Sequence, residues 1–90
     1  MVIIIENWAK LKGKVLSFSP NAGLNGFYIM RLRLDQAEQI EGFPNLAEGD
    51  VKKEININIK IENFKKTRIT VGKDYSFIAR KASGSMYFVK

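Results

Sequence analysis

The sequence predicts an all-β domain: a small five-stranded antiparallel barrel with at most one short helical turn. Three observations carry that expectation. From Lys53 to Glu62 polar and apolar residues alternate strictly, with Ile55, Ile57, Ile59 and Ile61 on one side and Glu54, Asn56, Asn58, Lys60 and Glu62 on the other. A period of two with β-branched residues on one face is the pattern of a half-buried strand. Gly26 to Leu34 alternates as well, and Tyr28, Met30, Leu32 and Leu34 share the interior parity. Clusters of turn formers, chiefly Pro20-Asn-Ala-Gly-Leu-Asn-Gly26 and Lys81-Ala-Ser-Gly-Ser85, separate the apolar segments. Strands so punctuated favour a closed barrel, which leaves no sheet edge unpaired, over a two-sheet sandwich.

The elements follow in chain order. Val2 to Ile5 is a candidate short edge strand. Trp8 to Ser19 is a strand whose phase changes: Trp8, Lys10, Lys12 and Lys14 share one parity, yet Leu16 and Phe18 fall on the same side. A bulge or bend near Gly13 reconciles the halves. Asp35 to Asp50 has no clean period. It holds at most a helical turn around Gln36 to Ile40, because Gly42, Pro44 and Gly49 interrupt anything longer. The long isoleucine strand comes next, followed by a turn carrying Lys65, Lys66 and Arg68. Tyr75 to Arg80 and Met86 to Val89 form a terminal hairpin around residues 81–85. With 90 residues, the chain is expected to form one domain over 1–90.

Composition narrows the chemistry. The chain has neither cysteine nor histidine, which removes disulfides, thiolate metal sites, the commonest general base and every Ser-His or Cys-His pair. A non-enzymatic protein without metal or cofactor is expected. Gly13-Lys14 and Gly72-Lys73 do not fit a phosphate-binding loop, since Trp8 and Thr67 stand where its first glycine is required. Met1 to Ile5 is too short for a signal-peptide core and no segment is long enough to span a membrane, so a cytoplasmic location and no membrane partner are expected.

Charge is distributed in blocks. There are 15 Lys and Arg against 9 Asp and Glu, for a net charge of +6. Lys10, Lys12, Lys14, Arg31 and Arg33 come first without an acid among them. Asp35, Glu38, Glu41, Glu48 and Asp50 follow without a base, and the segment after Asn63 is again basic, with Asp74 its one acid. Such asymmetry points to a polyanionic partner; the bland alternative is chance clustering on a solvated surface.

Several segments resemble the OB-fold nucleic-acid-binding domains. Leu11-Lys-Gly-Lys-Val-Leu16, a turn and Phe27-Tyr-Ile-Met-Arg-Leu-Arg33 are similar to the first hairpin of such domains. Arg68-Ile-Thr-Val-Gly-Lys-Asp-Tyr-Ser-Phe77, with Gly84 and Met86-Tyr-Phe-Val89, is similar to their fourth and fifth strands. The resemblance covers about two-thirds of the chain. It implies an OB-like barrel whose groove is bordered by the loops between strands one and two and between strands four and five, which makes Lys81 and the Asn21 to Asn25 loop candidate contacts. The acidic segment departs from the simplest pattern. So does the interval between strands three and four, which reads as too short for the helix such domains carry there.

The expected function is a nucleic-acid-binding module that prefers single strands of DNA or RNA. Cations follow the phosphates, and exposed rings stack on bases of any sequence. The candidate contacts are Trp8, Lys10, Lys12 and Lys14 on one strand and Phe27, Arg31 and Arg33 on the next, expected to share one outer face. Lys65, Lys66 and Arg68 after the long strand, and Arg80 and Lys81 at the last hairpin, complete the set. Arg31 and Arg33 suit planar stacking and forked phosphate contacts. Trp8 taken alone reads first as a packing residue with lysines snorkelling over it. The alternative function is a protein-interaction or assembly subunit, including a homodimer, that uses the same face or the Val2 to Ile5 edge.

Overall fold

The computed structural model describes residues 7–84 and 86–90; the candidate edge strand Val2 to Ile5 lies outside the described residues. The chain forms strands Ala9–Pro20 (β1), Phe27–Gln39 (β2), Glu54–Lys60 (β3), Asp74–Ser83 (β4) and Met86–Val89 (β5). Helix Ile61–Thr67 (α1) joins β3 to β4, and a 3-10 turn at Glu48–Asp50 precedes β3. The strands close into a barrel in the order β1-β2-β3-β5-β4. That order, with a helix after the third strand, is consistent with an OB-like fold. The ladders are antiparallel except for β3 and β5, which run parallel from Asn56↔Met86 to Asn58↔Phe88. Closure with an odd number of strands requires one such pair, since directions cannot alternate all the way round.

The interior is built from the alternating residues. Leu11 and Val15 of β1, Met30, Leu32 and Leu34 of β2, Ile55, Ile57 and Ile59 of β3, and Tyr87 of β5 are all buried, with Ala9, Phe77 and Ala79 beside them. Burying side chains of this size contributes roughly 1.5–3 kcal/mol each, so a short chain holds its shape through one shared core.

Two irregularities let the first hairpin coil around that core. At the Lys12/Gly13 step the register jumps from Gln36 to Leu34, leaving Asp35 as the extra residue of β2. Between Val15 and Ser17 the extra residue is Leu16, and there the parity of β1 reverses, three residues beyond the glycine expected to mark it. Gly13 serves a different end: a Cβ there would collide with the carbonyl oxygen of Arg33, so only glycine lets the two strands approach this closely. The helical turn expected around Gln36 to Ile40 does not form. β2 instead runs to Gln39, because the Asp35 bulge turns Ala37 inward opposite Leu11.

The isoleucine strand also ends sooner than its alternation suggests. Ile61 and Glu62 open α1, and the interval thought too short for a helix holds one. Phe64 explains the change. It is buried at the end of the barrel, with its ring 4.6 Å from Phe18 and 4.7 Å from Tyr28 between centroids. Lys65 and Lys66 therefore lie in the last helical turn rather than in a loop, and Arg68 is the left-handed C-cap at φ 57°. At the last hairpin β4 runs on to Ser83, two residues past the start of the expected loop.

Candidate nucleic-acid interface

The outer faces of β2, β3 and β5 form a continuous surface. Their registers align Ile29 with Asn58 and Phe88, and Arg31 with Asn56 and Met86. Across the next ladder Arg80 of β4 stands opposite Phe88. The Phe27 and Phe88 rings meet edge to face with centroids 6.5 Å apart, and the Arg80 guanidinium lies 5.1 Å from the centre of the Phe88 ring. Phe27 is paired with Lys60, which places an exposed ammonium beside the aromatic pair.

Asn58 belongs to this face, yet it is only 1% exposed, against the expectation that its side of the strand is wet. Three groups hold it. Asn21 of the β1–β2 loop donates to its Oδ1 at 2.7 Å, and its own amide donates to the Met86 sulfur at 2.8 Å and to the Tyr87 carbonyl at 3.3 Å. A buried amide so satisfied fixes its surroundings, here locking the first loop and β5 onto β3. Asn21 is thereby structural within the loop that the resemblance marks as a contact.

The candidate residues divide into groups. Phe27, Arg31 and Arg80 lie on the β2–β3–β5 surface or its rim. Arg31 reaches Glu54 at 3.5 Å and Arg33 reaches Asp35 at 3.5 Å, both exposed pairs that add little stability and leave the guanidinium groups accessible. Lys10, Lys12 and Lys14 do point outward from β1, but their cross-strand neighbours on β2 are Glu38, Gln36 and Arg33. The lysine row therefore abuts the second half of β2, and its link to the arginines is the Lys14–Arg33 pair. Phe27, at the start of β2, is beyond its reach. Lys65 and Lys66 are exposed in the last turn of α1, and Arg68 is exposed at its C-cap. The Trp8 ring is half-buried with the Lys90 ammonium 5.7 Å from its centre.

Lys81 is engaged elsewhere. Its ammonium lies 3.0 Å from Asp50, whose carboxylate also accepts the Tyr87 hydroxyl at 2.6 Å. Its backbone is clasped by Asn7, which accepts from the Lys81 N–H at 2.8 Å and donates to its carbonyl at 3.1 Å. This bracket anchors the loop after β2 to the barrel and uses the last carboxylate of the acidic block.

Sequence reasoning passed over Phe88, Asn58, Asn56 and Lys60. The alternation of Met86 to Val89 could have exposed Phe88, but all four residues there are apolar, so neither parity stood out as interior. No protein-family model matches the chain, and no curated protein matches it.

Proposed function

We propose that this protein is a non-enzymatic module that binds single-stranded nucleic acid on the surface of β2, β3 and β5. The observation that carries the reading is the Phe27–Phe88 pair with Arg80 over the second ring. Flat rings on a sheet offer bases of any sequence a stacking surface, and flanking cations neutralise phosphates. Arg31 and Lys60 supply charge on either side of the rings, and Lys65, Lys66 and Arg68 continue it over α1. Lys10 and Lys12 are peripheral in this reading, and Lys81 is structural.

The test is a titration with an oligothymidylate, followed by the fluorescence of Trp8, the single tryptophan, at several salt concentrations. Saturable binding that weakens steeply with salt is the expected result. Phe88→Ala and Arg80→Ala should each weaken it about tenfold, within the roughly 1–3 kcal/mol that stacking contributes per base. Absence of binding, with a concentration-dependent dimer in sedimentation, would instead favour an assembly surface.

A further inference from the structure

Resting on that reading, we infer that the groove beside Phe27 is a nucleobase pocket selective for guanine. The groove is shallow, about 400 Å³, and is lined by Asn25, Gly26, Phe27, Lys60, Ile61 and Glu62. Its size falls within the roughly 300–1,000 Å³ of small-molecule sites. It is held in shape before any ligand arrives, because the Ile61 N–H donates to the Gly26 carbonyl at 2.9 Å and ties the first loop to the end of β3. Phe27 belongs both to the groove and to the aromatic pair with Phe88, so a strand stacked on the open surface passes directly into it.

Glu62 gives the groove its selectivity. Among the described residues it makes no ion pair, and it is exposed in the lining. An ionised carboxylate only accepts hydrogen bonds. Guanine alone among the bases presents two neighbouring donors, N1–H and the N2 amino group, to a carboxylate's two oxygens. Thymine and uracil offer one N–H between two carbonyls. Adenine and cytosine set one amino group beside an acceptor nitrogen that would face the second oxygen. The backbone of the bound nucleotide is served by Lys60 in the lining and by Lys65, one turn beyond Ile61 on the same side of α1. A carboxylate within a phosphate-binding surface opposes binding of an indifferent strand and is offset by a base that uses it.

The experiment compares an oligothymidylate with the same strand carrying one central guanine or one central inosine, which lacks the N2 amino group. The guanine strand should bind about tenfold more tightly than oligothymidylate, within the discrimination of a bidentate base contact, and inosine should lose most of that gain. In Glu62→Gln, an exposed substitution that leaves the fold intact, the guanine advantage should shrink below about twofold without loss of oligothymidylate affinity. Equal binding of the guanine and thymine strands overturns the guanine pocket alone. An advantage that survives Glu62→Gln, or a uniform gain for every strand in that variant, also overturns it. If no strand binds at all, the nucleic-acid reading itself falls.

Discussion

Tyr87 ties distant parts of the chain together through a single atom. Its side chain is buried in the barrel, yet its hydroxyl reaches Asp50 at 2.6 Å, and the Lys81 ammonium meets the same carboxylate oxygen. Burial is the largest single influence on the Asp50 carboxyl and pushes its pKa up. The hydrogen bonds from Tyr87 and Lys81, with the charges of Lys81 and Lys53, outweigh it and hold the carboxyl below its ordinary value. Burial, then the hydrogen bond and charge of Asp50, raise the Tyr87 phenol far above the usual tyrosine range, so it remains a donor. A carboxyl whose folded pKa is depressed adds stability above its unfolded pKa and loses it as pH falls through the folded value. Tyr87→Phe should therefore cost about 1.5–3 kcal/mol at neutral pH, the range for a hydrogen bond to a charged group. That cost should shrink in acid, once the pH falls below the ordinary carboxylate range and Asp50 protonates. Urea unfolding of both proteins at the two pH values measures it; an undiminished difference in acid would place the cost in packing rather than in the Asp50 bond.

Among the elements, α1 owes its position to one ring. Its other inward contacts are slight, whereas Phe64 meets both Phe18 and Tyr28 at the barrel end. Phe64→Ala should destabilise the protein by about 3–5 kcal/mol, as expected for a buried phenylalanine. Amides of α1 should lose protection from hydrogen exchange before those of β2 and β3. Equal exchange throughout would mean that the helix is held by its backbone connections instead. The helix also shows where sequence periodicity stops being informative. Ile55, Ile57 and Ile59 face the core as their spacing predicts, and Ile61 has the same spacing, but the chain leaves the sheet after Lys60. Alternation records a favourable parity, whereas the end of a strand depends on where its neighbour ends, and Lys60 is opposite Phe27, the first residue of β2. The extension of β2 to Gln39 was hidden for a related reason: the extra residue Asp35 reverses parity, so Ala37 continues an inward row that, by strict alternation, ends at Leu34.

On the scale of the whole molecule, a net charge of +6 matters less than which cations stand beside the rings. Along the chain, Lys10, Lys12 and Lys14 look continuous with Arg31 and Arg33. The antiparallel register of β1 and β2 joins them only at Lys14 and Arg33 and carries the rest of the lysine row away from the rings: Lys10 meets Glu38, while Phe27 and Ile29 lie toward the far end of the hairpin, opposite Ser19 and Pro20 or beyond. Lys14 also has Asp74 as its partner on β4. The sequence thus contained the right kinds of residue for a basic aromatic face, but only the register decides which of them share it. The two faces make different demands on salt dependence. Each phosphate contact on a single strand contributes about 0.7 to the slope of log affinity against log salt. Lys60→Gln should flatten that slope by about 0.7, and Lys10→Gln should leave it nearly unchanged, since its position is flanked by the Glu38 carboxylate and lies away from the rings. Both lysines are exposed, so neither change should disturb folding, and thermal melts can verify that independently. If Lys10→Gln flattens the slope as much as Lys60→Gln does, the strand follows β1 and the second half of β2. The Phe27–Phe88 pair would then be a packing feature of the barrel wall and not the floor of a binding site.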